Sequence, residues 1–197
     1  MSLNGQTPSS RRSICGIEEL PSFHAEGVTH VLSLIDPDLA PISAFSRYPH
    51  HLRTILRFHD IVEPRSGWVM PDLGHVEQIL RFGERLGAGN IESSDASHLL
   101  VHCHMGVSRS TGAMLMLMAQ ADPQANEDHL FERLRAIRPQ AWPNSRMVVL
   151  ADAALARSGR LTMALRRHYA FQLAARPEFR SWMAELGRQV EIDMAAE

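Results

Sequence analysis

The chain has 197 residues, 45% of them apolar and 21% charged, and its 20 basic and 22 acidic side chains leave a net charge of -2. This near balance argues against a protein that binds nucleic acid or a membrane surface through bulk charge. The two cysteines are too few for a secreted disulfide scaffold. The polar start lacks the apolar core of a signal peptide, and the longest strongly apolar run, residues 113–119, is too short to cross a bilayer. We therefore expect a globular cytoplasmic protein.

The hydrophobic pattern predicts an α/β fold. Residues 1–13 are rich in Ser, Gly, Pro and Arg and are predicted to be a disordered arm. Short apolar runs rich in β-branched residues predict strands at 14–16, 28–35, 53–58 and 98–102. Apolar residues at helical spacing predict helices from about Asp72 and at 108–121, 126–137 and 144–157. This order favours a central, mostly parallel sheet of four to five strands flanked by helices.

The last 40 residues form a separate amphipathic region. We expect one domain over residues 14–157, followed by a C-terminal extension over residues 158–197 with one or two helices. The apolar faces of these helices predict that the extension packs on the domain. Pairing of two copies in a homodimer is the alternative use of the same faces.

A cysteine lies between the strand at 98–102 and the helix that follows. Cys103 comes directly after the strand, and a loop of about five residues leads into the helix. Such a loop turns successive backbone amides inward and forms an anion site at the helix N-terminus, and Gly106 permits the sharp turn. Arg109, six residues beyond Cys103, can return over this concavity, where its planar guanidinium can bind two phosphate oxygens. Amides, helix dipole and guanidinium together favour a thiolate nucleophile facing a phosphoryl group.

The loop resembles the His-Cys-x5-Arg-Ser/Thr signature of the Cys-based protein tyrosine phosphatases, and most of all its dual-specificity branch. Two other segments are similar to this family: residues 27–34, and the Arg-Pro and Pro-Asn pairs at 138–139 and 143–144. The resemblance covers residues 14–157. The matching loop residues are His102, Cys103, His104, Met105, Gly106, Val107, Ser108, Arg109 and Ser110.

The resemblance implies a role for each loop residue. Cys103 would be the nucleophile, and the loop from His104 to Arg109 would bind the phosphate. His102 would support the loop, and Ser110 would stabilise the thiolate when it leaves the phosphoenzyme. The resemblance implies no metal and no organic cofactor. A metal site built from the nearby histidines is disfavoured, because adjacent residues of a strand point to opposite faces.

The resemblance also requires an aspartic acid that protonates the leaving oxygen. Asp60, which follows the strand at 53–58, is the preferred candidate, 43 residues before Cys103. Asp72 lies 31 residues before Cys103, but it follows a proline and precedes a helix, as a helix N-cap does. Glu63, or no general acid at all, is the third option.

The sequence leaves more than one substrate class and more than one function possible. The variable loop positions carry no Lys or Arg, so the resemblance favours a phosphorylated protein or a small aryl phosphate over a phosphoinositide. Trp68 could form an aromatic wall for phosphotyrosine, or it could be a core or lid residue. Alternative functions are an inactive phosphate-binding module and another Cys-loop oxyanion enzyme, a sulfurtransferase or arsenate reductase. Cys15 could form a redox bridge with Cys103, although a buried structural thiol is the preferred interpretation.

Overall fold

The computed structural model describes residues 11–88 and 97–196 of the chain. Within these ranges four strands form a single parallel sheet with the order β1-β4-β2-β3. The strands are β1 (Arg11–Cys15), β2 (His30–Ile35), β3 (Leu52–Arg57) and β4 (His98–His102). The predicted α/β fold with a parallel sheet is therefore confirmed.

The first strand is longer than the sequence predicted. β1 begins at Arg11, so residues 11–13 are not part of a disordered arm; they pair with β4 from Arg11 opposite His98. Polar residues are tolerated there because β1 is an edge strand, and Ser13 Oγ lies 2.8 Å from His98 Nε2. Residues 1–10, most of the predicted arm, lie outside the described residues.

Four helices of the domain begin close to where the sequence predicted. Asn126 and Asn144 cap two of them, with side-chain oxygens that accept hydrogen bonds from backbone amides of the first turn. The fourth ends at Ala154, three residues before the predicted end. These helices are α1 (Leu73–Ala88), α2 (Arg109–Ala121), α3 (Glu127–Ile137) and α4 (Ser145–Ala154).

The sheet separates two apolar cores. Leu99 and Val101 of β4 lie in the larger core, together with apolar residues of all four of these helices. Leu100, between them in the strand, lies in the smaller core on the other face, which two 3-10 helices cover (Leu20–Phe23 and Ser43–Arg47). Since every strand runs the same way, all four carboxyl ends meet at one edge, where ligands of open α/β sheets bind.

The C-terminal extension forms three helices rather than one or two: α5 (Arg160–Ala175), α6 (Phe179–Glu185) and α7 (Gln189–Met194). They pack onto the domain through Trp142, which stacks on Tyr169 with ring centroids 4.3 Å apart and meets the edge of Phe179. The homodimer stays a prediction. Among the described residues, no helix combines the length and apolar character that a membrane span requires.

Candidate active site

The loop after β4 needs glycine at one position. Cys103 follows the last residue of β4, and α2 begins at Arg109. Gly106 has a φ of +71°, and a Cβ atom there would lie 2.5 Å from the backbone carbon of Cys15 at the end of β1. The loop is thus pressed against the carboxyl edge of the neighbouring strand, in a backbone conformation that favours glycine.

Cys103 lies at the base of this loop with an exposed fraction of 1%. Its Sγ is 3.2 Å from Ser110 Oγ, in the first turn of α2. Within the described part of the chain, the backbone amides of residues 104–109 donate to no protein acceptor. Six amides of one short loop therefore remain available, as an anion site requires.

Arg109 is buried and only partly satisfied. Its Nη1 donates to Asp36 Oδ1 and to the carbonyl oxygen of Phe58, each at 2.6 Å. Its Nε is buried and has no hydrogen-bond partner among the described residues. Because a buried unpaired donor is costly, this atom indicates an anion that the guanidinium can bind.

A second arginine supports the loop from outside. Arg138 Nε donates to Gly106 O at 3.0 Å, and its Nη2 donates to Met105 O at 3.1 Å. The same guanidinium pairs with both carboxylate oxygens of Glu19 at 2.8 Å. Because Arg138 holds the carbonyl oxygens of Met105 and Gly106 on the outer face of the loop, the loop amides can point to the opposite face.

His102 lies behind the loop, on the opposite face of the sheet from Cys103. Its ring is fully buried against Phe45, and its Nε2 lies 2.7 Å from Ser33 Oγ. Burial, together with the nearby Arg53, lowers the pKa of His102 to about 4. The ring is therefore neutral at neutral pH and supports the strand end without adding charge.

Asp60 lies at the cleft beside the loop. Its Oδ1 accepts hydrogen bonds from Ser108 Oγ at 2.8 Å, from Asn144 Nδ2 at 2.9 Å, and from Arg188. Burial alone would raise the pKa of this carboxyl, but Arg188, Arg109 and the two neutral donors outweigh it and hold the pKa below its usual range. Asp60 is thus a carboxylate in this arrangement.

Asp72, the alternative acid, lies elsewhere. Its Oδ1 accepts a hydrogen bond from the backbone amide of His75 at 3.0 Å at the start of α1, and its side chain is 64% exposed. This is the geometry of a helix N-cap. Neither Asp72 nor Glu63 lines the cleft that contains Cys103.

The cleft has a volume of about 360 Å³ and mixed walls. Its floor includes the loop together with Asp36 and Asp60, and its apolar rim comes from two remote segments: Trp68, and the end of α6 with Trp182 and Leu186. Trp68 is 42% exposed, so it belongs to the rim and not to the core. The loop residues that line the cleft are Cys103, His104, Met105, Val107, Ser108 and Arg109.

Three residues of this site were missed by sequence reasoning. Asp36 follows β2 at the same sheet edge as Cys103, so the parallel topology could have indicated it. Asn144 was noted only as part of a motif, and its bond to Asp60 spans 84 residues. No local pattern indicates Arg188, which lies in the extension, 128 residues from Asp60.

Cys15 and Cys103 are both free thiols. Cys15 belongs to the smaller core and Cys103 to the larger one, so the two side chains lie on different faces of the sheet. Burial raises the pKa of Cys15 to about 12, which makes it a poor nucleophile. This arrangement favours the structural interpretation of Cys15 over a redox bridge.

Solved structures with this fold include several phosphatases. PTP-2 phosphatase of Cydia pomonella is 22% identical and superposes with a TM-score of 0.54, covering 73% of this chain and 84% of that chain. The Yvh1 phosphatase domain of Chaetomium thermophilum is 22% identical, with a TM-score of 0.51 and coverage of 78% and 95%. Human DUSP28 is 16% identical, with a TM-score of 0.53 and coverage of 74% and 94%. No family model and no curated protein matches the chain. The structural likeness shows that the chain has the fold of the dual-specificity and tyrosine phosphatases.

Proposed function

We propose that the protein is a Cys-dependent phosphatase that hydrolyses phosphate monoesters of proteins through a cysteinyl-phosphate intermediate. One observation carries the proposal: Cys103 shares its cleft with a set of unpaired donors, the amides of residues 104–109 and the buried Nε of Arg109. Donors that are already aligned stabilise the charge of a phosphoryl group in the transition state without reorganisation.

The first step transfers the phosphoryl group to sulfur. The Cys103 thiolate attacks phosphorus, a P–S bond forms, and the P–O bond to the leaving group breaks with its electron pair on oxygen. Arg109 and the loop amides bind the three equatorial oxygens. Asp60 is one of the carboxyl groups that line the cleft, and in its protonated form it donates a proton to the leaving oxygen.

The second step regenerates the thiol. Water attacks phosphorus, Asp60 accepts its proton, and the P–S bond breaks with the electron pair on sulfur. Ser110 supports this step, because its hydroxyl lies 3.2 Å from Sγ and can donate a hydrogen bond to the departing thiolate. The products are inorganic phosphate and the regenerated Cys103, and no metal or cofactor takes part.

The lining of the cleft supports a proposal about the substrate class. Its walls carry Trp68, Trp182 and Leu186, and the loop positions between Cys103 and Arg109 carry no Lys or Arg. Apolar walls suit a phosphorylated protein side chain or a small aryl phosphate better than a polyanionic headgroup. We place this activity in the cytoplasm, on phosphotyrosine or on both phosphotyrosine and phosphoserine or phosphothreonine.

The test is hydrolysis of p-nitrophenyl phosphate between pH 4.5 and 8 in the presence of a chelator, beside Cys103→Ser. We expect turnover that resists the chelator, is inhibited by vanadate and is lost in the variant. Asp60→Asn should reduce kcat by about 100-fold, the usual size of a general acid contribution, whereas Asp72→Asn should leave it unchanged. Folded, reduced protein without turnover above Cys103→Ser would refute the enzyme, and tight phosphopeptide binding would then indicate a phosphate-reading module.

A further inference from the structure

The C-terminal extension inserts one arginine into the candidate active site. Arg188 lies between α6 and α7 and is almost fully buried, yet it lines the cleft above Cys103. We propose that Arg188 is a positioning residue that fixes Asp60 as a carboxylate and thereby restricts turnover to aryl phosphate monoesters. This inference rests on the proposed phosphatase function and narrows its substrates.

The geometry of Arg188 joins three parts of the site. Its Nη2 donates to Asp60 Oδ1, to the Asp60 carbonyl oxygen at 3.0 Å, and to Ser108 Oγ at 3.1 Å. Its Nη1 binds both carboxylate oxygens of Glu191 at 3.1 Å. The guanidinium is thus held from behind by Glu191 and presents its other nitrogen to Asp60 and the phosphate loop.

Glu191 in turn is anchored to the domain. It is fully buried, accepts a hydrogen bond from Trp142 Nε1 at 2.7 Å, and accepts another from the backbone amide of Ser145 at 2.7 Å. Each carboxylate oxygen therefore has a fixed partner besides Arg188. We call the contact of Arg188 with Asp60, held by Glu191, the clamp. It is fixed by buried contacts and is not a surface ion pair.

The charges around Asp60 favour its ionised form. Arg188 from the extension and Arg109 from α2 outweigh the cost of burial and lower its pKa. The buried Tyr169 of α5 hydrogen-bonds to the carbonyl oxygen of Pro143. The other titratable groups that line the cleft are Asp36, Arg65, His104 and Glu185.

An ionised Asp60 suits one step of the reaction and not the other. The second step needs a base that takes a proton from water, and a carboxylate does this. The first step needs an acid when the leaving oxygen is an alkoxide, because a serine or threonine hydroxyl is nearly as weak an acid as water. A tyrosine phenol has a pKa of about 10, so its leaving oxygen depends far less on proton donation, and the small protonated fraction of Asp60 is enough for it.

The cleft walls fit the same substrates. Trp68 and Trp182 stand at its rim, and Leu186 and Met105 add apolar surface beside them. Aromatic side chains pack against a flat ring in offset or edge-on geometry, and such contacts stabilise a complex beyond simple area burial. A phenyl ring can pack against these walls, whereas a serine side chain carries no ring to do so.

The experiment compares two phosphopeptides of one sequence, with phosphotyrosine or phosphoserine at the same position, for the wild-type protein and Arg188→Gln. We expect the wild-type protein to favour phosphotyrosine by at least about 100-fold in kcat/KM. In Arg188→Gln this ratio should fall about tenfold, and the alkaline limb of the kcat profile on phosphotyrosine should move up by about one pH unit, because Asp60 keeps its proton longer.

Two further variants separate this role from a structural one. Arg180→Gln removes the same charge from an exposed position in α6 and should leave both readouts unchanged. Arg188→Lys keeps the charge and should retain most of the selectivity. If Arg188→Gln does not fold, the titration of Asp60 in the wild-type protein decides. A folded Arg188→Gln with the wild-type ratio and pH limb would overturn the proposal.

The titration of Asp60 itself, followed by carboxyl NMR, does not depend on turnover. A titration in the wild-type protein at or above the usual range for aspartic acid would overturn the clamp. If wild-type protein lacked Cys103-dependent turnover, the proposed function and its substrate range would both fall. A low Asp60 titration that rises in Arg188→Gln would then show that the clamp exists without the reaction.

Discussion

The two sides of the cleft are built in different ways. The phosphate side is one continuous stretch, residues 102–110, in which the end of β4, the cysteine, the glycine and the arginine follow each other in the sequence. The acid side is assembled from Asp60, Asn144 and Arg188, and the bonds that join them span 84 and 128 residues. A local motif can specify an anion site by itself, whereas the protonation of the acid depends on how remote segments pack.

The largest effect should come from a change on the phosphate side. Gly106→Ala places a Cβ 2.5 Å from the Cys15 backbone carbon in a left-handed conformation, so the loop must move. A displacement of about 1 Å at a reacting centre can cost about 100-fold, and we expect kcat/KM for p-nitrophenyl phosphate to fall at least that far.

Gly27→Ala is the matched control. Gly27 has a φ of +66°, but no atom lies within 4 Å of its added Cβ. This variant carries the same backbone cost of about 1–3 kcal/mol in unfolding free energy without a clash, and its kcat/KM should not change. Equal losses of activity in the two variants would mean that general destabilisation, and not loop geometry, explains the effect.

A smaller effect should show whether the shape of the phosphate-binding loop depends on residues that are remote in the sequence. Arg138→Met removes the donors to the carbonyl oxygens of Met105 and Gly106. Hydrogen bonds to charged groups contribute about 1.5–3 kcal/mol to stability. Because the loop should lose only part of its shape without them, we expect kcat/KM and vanadate affinity to fall about tenfold. Arg133→Met, which removes an ion pair between α3 and Asp122 at the end of α2, should have no such effect. Unchanged vanadate affinity in Arg138→Met would mean that the loop holds its shape without remote support.

The same contrast explains what could be predicted from sequence. β4, the start of α2 and the N-cap of α4 follow from short-range patterns, and the structure has them within a residue of their expected positions. The start of β1 was wrong, because Arg11 is ordered by its pairing with His98, a partner 87 residues away. Arg188 was missed for the same reason: its polar neighbours in α6 and α7 carry no signal that one guanidinium turns inward.

The smallest effect concerns acid stability, and it compares one histidine from each region. His102 beside the loop and His168 of α5 are both buried, and burial lowers the pKa of each to about 4. His168 is held neutral by its bonds, because Arg135 donates to its Nδ1 and its Nε2 can donate to the carbonyl oxygen of Ala141.

Since the folded pKa of each ring lies below the ordinary value of 6.5, the unfolded chain binds a proton first as pH falls. The contribution of each neutral histidine to the free energy of unfolding is complete above pH 6.5 and is lost as pH falls toward 4. The loss is about 2 kcal/mol for each histidine between pH 7 and pH 5.

The free energy of unfolding can be measured with urea at these two pH values. In His168→Gln we expect about half of the loss that the two histidines cause together in the wild-type protein, and kcat/KM at neutral pH should not change. His102→Gln should show a similar reduction together with a loss of activity, because its ring supports the end of β4, directly before Cys103. Parallel stability curves for wild-type protein and His168→Gln would mean that His168 is protonated in the fold, and the packing of α5 on Ala141 would then have to tolerate a buried charge.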